Sequence, residues 1–130
     1  MMGFSNTLEV LASGMKSQSQ RLRHVSENIA NADTPGYRRK MVSFEAMVKA
    51  GEKSGAVQLG PVQLDQSDLP KVHDPSHPLA SETGHYDGSN VDLLIELADA
   101  REAQRSYEAN LKMFEQTRKM SNKLNEIMRQ

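Results

Sequence analysis

Residues 28–40 read NIANADTPGYRRK, and the architecture follows from what this stretch does to the chain. Thr34-Pro35-Gly36-Tyr37 fits a type II turn, with Pro35 presetting φ at the second position and Gly36 supplying a positive φ at the third. Pro35 also drives Thr34 out of helical geometry, so a helix arriving from the N-terminal side must end before it. Asn31 suits a left-handed cap at that end. Asn28 and Asn31 lie three apart on one face, where their amides can bond the departing chain or a neighbour's backbone. Tyr37 leaves the turn with an apolar ring and a polar tip, suited to anchoring the turn on a helix surface. Taken locally, the stretch reads equally well as an ordinary helix terminator.

Upstream, Phe4, Leu8, Leu11, Met15, Gln18, Leu22, Val25 and Ile29 recur at alternating spacings of four and three. This is a narrow heptad-like seam on one amphipathic helix. Asn6 with Glu9 reads as a capping pair at its start. Gly14 inside the helix costs about 1 kcal/mol relative to alanine, so packing must hold this helix more than propensity does.

Downstream, the chain from Ser89 onward predicts a second, longer helix, capped by Ser89 or Asn90, with Asp92 at the positive end of its dipole. Ala103, Asn110, Thr117 and Leu124 recur every seven residues, as do Met113, Met120 and Ile127, with Tyr107, Phe114 and Met128 alongside. That stripe is wide and interrupted by small polar residues, so one neighbouring helix cannot cover it. The candidate packing residues are Leu8, Leu11, Met15, Leu22, Val25 and Ile29 on the first helix. On the second they are Tyr107, Asn110, Phe114, Thr117, Met120 and Leu124. Two arrangements satisfy the pattern: a hairpin with a weak core of its own, or a helix pair completed by further copies or partners.

Between the helices, residues 51–88 hold five of the eight glycines and four of the five prolines. Val57-Gln58-Leu59 and Val62-Gln63-Leu64 alternate apolar and polar residues around Gly60-Pro61, which predicts short strands about a turn. Pro70, Pro75 and Pro78 exclude helix from the second half. The fold class is therefore mainly α, with terminal helices pairing as a coiled coil and a loop-rich middle containing short β-strands. Residues 1–50 and 89–130 form one helical unit, and 51–88 form the middle.

Composition narrows the chemistry. With no cysteine, thiolate sites and disulfides are excluded. Only 37% of residues are hydrophobic and six are aromatic, too few for a large self-contained core. The first fifty residues carry seven Lys/Arg against four Asp/Glu, and residues 51–90 carry two against six, a basic segment and an acidic one that could meet within one chain or between neighbouring copies. No basic flank with an apolar run marks a cleavable signal, and no segment approaches the length of a membrane span. His73-Asp74-Pro75-Ser76-His77, with His85 nearby, has histidines at ligand spacing, but the prolines forbid the helix that spacing needs. Turn bonding by Asp74 and Ser76 is the better reading, so no metal and no cofactor is expected. No nucleophile elbow, phosphate loop or opposed carboxylate pair is present, which argues against an enzyme. Arg38-Arg39-Lys40, with Arg21 and Arg23, is a small basic patch. It lacks the motif or stacking platform of a nucleic-acid binder, which stands as the weaker alternative. The stronger one is a helical-hairpin adaptor binding another protein's helix.

The Asn28–Lys40 stretch followed by Val42-Ser43-Phe44 resembles the signature of the flagellar rod, hook and hook-associated axial proteins. Asp74-Pro75-Ser76-His77-Pro78-Leu79-Ala80 and Arg101–Asn110, with Arg118-Lys119-Met120 beyond, are similar to the proximal rod subfamily of FlgC type. The Asp87–Asp92 run is closer to the sister proximal rod protein B. The resemblance implies a structural subunit of the basal-body rod, exported by the flagellar type III apparatus without a cleaved signal and placed where the rod crosses the periplasm. Its partners would be other rod subunits, the basal-body base and copies of itself. It also implies that Asn28, Asn31, Thr34, Pro35, Gly36, Tyr37, Arg38 and Arg39 make contacts between subunits, with the paired helices surrounding a central channel and transmitting torque.

Overall fold

The computed structural model describes residues 2–49 and 51–129. Among these residues two long helices, α1 (Met2–Ala30) and α2 (Leu93–Arg129), run antiparallel, and six short strands lie between them. The antiparallel sense follows from which residues meet. Asn28 touches Glu96, Arg21 reaches Asp99, and Gly14 lies against Asn110. At the far end Phe4 and Leu8 share a cleft with Leu124 and Met128.

The helices meet along a seam of modest side chains. On α1, Val25 and Asn28 are buried, while Leu8, Leu11, Met15, Leu22 and Ile29 are half-buried. On α2, Glu96 and Ala103 are buried, and Ser106, Asn110, Phe114, Thr117, Ser121 and Leu124 are half-buried. Tyr107 and Met120, read from the sequence as facing α1, stand outside, 38% and 53% exposed. The reason is closeness. A Cβ placed on Gly14 would lie 2.8 Å from Asn110 Nδ2, so this contact has room for an amide against bare backbone and none for a bulkier group. Large side chains beside such a seam are left on the outer surface.

Both helix starts differ from the sequence reading. Helix α1 is already formed at Met2, so Asn6 sits within it and does not cap it. Helix α2 starts at Leu93, and its cap is Asp92, whose Oδ1 accepts the Leu94 N–H at 3.0 Å. Ser89 instead closes a local turn to the Val91 N–H, and Asn90 is engaged elsewhere.

The strands form three antiparallel pairs. Strands β2 (Phe44–Lys49) and β3 (Glu52–Leu59) make a hairpin through Gly51, at φ 80°, with a bulge between Ala46 and Val48. This hairpin runs across residue 51, where the sequence reading divides the first part from the middle. Strand β3 lies on α1: the Val57 N–H donates to Ser13 Oγ at 3.0 Å, and Ala56 and Ser17 are buried beneath it. Val57–Leu59 and Gln63–Leu64 are strands, as their alternation predicts, but they do not pair with one another. The first pairs with Phe44–Ala46, and β4 (Gln63–Leu64) pairs with β1 (Lys40–Met41). Gly60 donates its N–H to the Ser43 carbonyl, so the chain is still attached to the first hairpin at the expected turn. Strands β5 (Lys71–His73) and β6 (His85–Asp87) enclose the histidine-containing loop. There Asp74 Oδ1 accepts from both the Ser76 N–H and its hydroxyl, the turn expected from sequence.

Two-stranded sheets are marginal alone. The β1–β4 and β5–β6 pairs are joined to the chain near the end where α1 stops and α2 begins, and the β2–β3 hairpin lies on the middle of α1.

Candidate assembly site

The end of α1 carries the first element of this fastening. Asn28, 1% exposed, uses all four of its side-chain hydrogen-bonding positions. Its Nδ2 donates to the Lys40 carbonyl (3.0 Å) and to Glu96 Oε2 (3.2 Å). Its Oδ1 accepts from the Tyr37 hydroxyl (2.9 Å) and from the Lys40 N–H (2.8 Å). One amide thus ties α1 to the segment after the turn and to α2.

The turn supplies the geometry. Gly36 has φ 74°, and the Tyr37 N–H donates to the Thr34 carbonyl at 3.2 Å, closing the turn that the sequence predicts. Asn31 donates both its N–H and its Nδ2 to the Glu27 carbonyl at the helix end, and Thr34 Oγ1 donates to Asn31 Oδ1. The Gly36 N–H reaches the Asp87 carbonyl, and the Asn90 N–H reaches the Tyr37 carbonyl, so the turn is also joined to the approach to α2.

Glu96 is the second element. Its carboxylate is fully buried and accepts from Arg39 Nε at 2.7 Å as well as from Asn28. A buried carboxylate is tolerated when it is paired and its lone pairs are bonded, and here both conditions hold. Burial works against the Arg39 charge. The bond to Glu96, with Asp65 at 3.7 Å and Asp99 at 3.8 Å, outweighs it and holds the guanidinium above its ordinary value. The Arg39 N–H donates to Asn90 Oδ1 at 2.7 Å, and Asn90 Nδ2 donates to the Asp65 carbonyl. Burial of the Tyr37 ring, reinforced by Glu27 and Glu96, raises its phenol above the usual range despite the opposing Lys40. The Lys40 ammonium bonds Glu27, which lowers that carboxyl and raises the lysine.

The basic run is therefore engaged within the chain. Arg38 donates to the carbonyls of Asp65 and Ser67, Arg39 faces three carboxylates, and Lys40 pairs with Glu27. Beside it, Arg21 lies between Asp99 and Glu102 with its guanidinium 5.9 Å from the Phe44 ring centroid.

Of the eight residues proposed for contacts between subunits, Asn28, Tyr37 and Arg39 converge on this node inside the chain. Arg38 and Asn31 bond nearby backbone, Thr34 and Gly36 lie exposed at the tip, and Pro35 between them is half-buried. Glu96, Asn90 and Asp65 were missed. Glu96 had a signal, since it stands seven residues before Ala103 in the series Ala103, Asn110, Thr117, Leu124. A charge at an inner heptad position calls for a buried partner. Among the described residues no group of three or more His, Asp or Glu is placed to hold a metal ion, and no helix is long and apolar enough to cross a membrane.

Comparison with known proteins matches the two ends of this arrangement. Residues 8–38, covering most of α1 and the turn, match the family described as flagella basal body rod protein. Residues 82–127 match the C-terminal family of flagellar basal body rod FlgEFG proteins. The flagellar basal-body rod protein FlgC of Agrobacterium fabrum is 44% identical over 85% of this chain and 84% of its own length. The chain belongs to the FlgC family of flagellar basal-body rod proteins. FlgC of Bacillus subtilis is 34% identical over 94% of the chain and 96% of its own, and FlgC of Salmonella typhimurium 31% over 92% and 93%. Membership in the FlgC family makes the chain a structural, non-enzymatic part of the flagellar basal body, and the interlocked node is structural chemistry to match.

Proposed function

We propose that the chain is a proximal-rod subunit that assembles by packing its helices against other rod subunits, the basal-body base and copies of itself around the export channel, and that it transmits torque through that packing. The observation that carries this reading is the outer face of α2. Leu94 is 80% exposed, and Ile95, Leu97, Met113, Ile127 and Met128 are all more than half exposed. Isolated exposed apolar residues are ordinary, but a succession along one helix marks a surface meant for a neighbour. In this reading the tip, with Thr34 and Gly36 exposed about half-buried Pro35, meets adjacent subunits while Asn28, Tyr37 and Arg39 hold it at its angle from within. Passage through the type III exporter without a cleaved signal, and placement where the rod crosses the periplasm, belong to the same proposal. The thin core, with only Val25, Ala56 and Ala103 buried among the described apolar residues, suits a chain that must be unfolded for export.

The test is Leu94→Glu combined with Ile95→Glu, which changes no contact of the node. Purified protein keeping its helical content and unfolding midpoint, in cells that express it but build no rod and do not swim, is the expected outcome. Normally motile cells would overturn the role of this face. Failed assembly with the purified variant unfolded would place the defect in folding.

A further inference from the structure

The β5–β6 hairpin lies apart from the node and carries three of the four histidines. The register pairs Lys71 with Asp87, Val72 with Tyr86 and His73 with His85. Backbone bonds from the Asp74 N–H to the Gly84 carbonyl and from the Gly88 N–H to the Pro70 carbonyl flank that register. They make Val72/Tyr86 a hydrogen-bonded pair and His73/His85 a non-hydrogen-bonded one, the kind in which facing side chains are closest. His73 and His85 therefore share one face of the hairpin. Tyr86, against which His77 stacks at 4.0 Å, points to the other.

The His73 and His85 ring centroids are 4.6 Å apart with planes tilted by 53°. Two imidazoles bound to one ion at about 2.0–2.1 Å have centroids roughly 4.5–5 Å apart when their ligating nitrogens subtend an angle near 90–105°. The rings thus stand at chelating separation without moving the backbone. His85 is oriented as well: its Nδ1 lies 3.1 Å from the Thr83 carbonyl, which can only accept, so Nδ1 carries the proton and Nε2 is left with a free lone pair. A backbone carbonyl on the far ring nitrogen is the arrangement that fixes metal-binding histidines. His73 is exposed, and its ring lies over Gly84, with Cε1 3.2 Å from where a Cβ there would stand. His77 is unsuited: its Nδ1 accepts the Leu79 N–H, which places its proton on Nε2.

We propose that His73 and His85 form a two-imidazole site for a divalent first-row transition ion of the Zn²⁺, Ni²⁺ or Cu²⁺ class, with water completing the coordination. Imidazole nitrogens select these ions over Mg²⁺ and Ca²⁺, which require oxygen ligands. Lys71, the nearest cation on this face, is ion-paired with Asp87. Bound metal clamps the two strands, a hairpin otherwise too small to be secure, and with them the 74–84 loop.

The experiment uses the full chain without a histidine tag, titrated with ZnCl₂ alone and followed by NMR of the histidine ring protons. Zn²⁺ is expected to shift the rings of His73 and His85 while leaving those of His77 and His24 in place. MgCl₂ is expected to move none. His73→Ala and His85→Ala are each expected to weaken binding at least about tenfold, and His77→Ala to leave it unchanged. Loss of binding in His77→Ala, full binding in His73→Ala, or no ring shift in the wild-type chain at millimolar Zn²⁺ would overturn the site. Should a variant lose the hairpin, the ring shifts of the wild-type chain decide alone.

Discussion

Asn28 is the residue on which most of the fold's long-range order converges. Because its amide supplies two donors and two acceptors, no other side chain of its size satisfies the same four partners. Asn28→Ala removes the partner of the Tyr37 hydroxyl, the Lys40 N–H, the Lys40 carbonyl and one Glu96 oxygen, and should lower unfolding free energy by about 2–4 kcal/mol in urea titration. Asn28→Asp should cost more than Asn28→Ala, since it sets a second carboxylate against buried Glu96. An aspartate variant as stable as the wild type would mean that Glu96 is not held as described.

The ionisable groups around Asn28 set the pH range. Lys40 holds Glu27 below its usual value, and hydrogen bonds from Ser67, with Arg39 behind them, do the same for Asp65. Lowered carboxyl values stabilise the fold above their unfolded values, about 4. That contribution is lost as pH falls through the lower folded ones. Lys40 and Tyr37, both raised, contribute below about pH 10 and lose that contribution as pH climbs through their folded values. The contribution of Glu27, Asp65, Lys40 and Tyr37 should therefore be level between about pH 5 and 9.5 and decline on either side. Glu27→Gln should flatten part of the acid decline, as read from urea midpoints across pH. An unchanged acid limb would remove Glu27 from the explanation.

At the scale of elements, α1 and α2 were legible because their seams repeat at short range. The turn was legible because Pro35 and Gly36 leave few backbone choices. Strand β2 was not: Phe44, Ala46 and Val48 alternate, yet they show as a strand only against β3, and that pairing is a tertiary fact. Nor could the sequence reveal which apolar residues of α2 turn inward, because the choice depends on how close the helices come. Gly14 and Asn110 govern that distance. Gly14→Val should destabilise by about 1–3 kcal/mol through overpacking. Gly14→Ala combined with Asn110→Ala should exceed the stability of either single change, because the Cβ then has room and the gain in helix propensity of about 1 kcal/mol remains. Strictly additive effects in that cycle would separate Gly14 from Asn110.

For the whole molecule, stability is unevenly distributed. The node joins α1, α2 and the strand β1, whereas the opposite end relies on Phe4, Leu8, Leu124 and Met128 around an open cleft. Hydrogen exchange on the dilute chain should be slowest for helical amides near residues 22–30 and 96–106. It should be fastest beyond residue 118 and before residue 10, where opening does not require the node to break. Uniform protection along both helices would favour a self-sufficient hairpin, as an adaptor would need.

The position of the node at one end of the helix pair has a geometric consequence. Helix α2, at 37 residues, is about 55 Å long, and the buried Glu96 that bonds Asn28 and Arg39 lies in its first turns, with side-chain packing against α1 farther along. It is a lever arm: tilting it by 3° at the node moves its tip by about 3 Å, close to the diameter of a water molecule. Four saturated bonds on one asparagine therefore set a tolerance, since small slack at Asn28 becomes a misalignment as large as an atom at Met128.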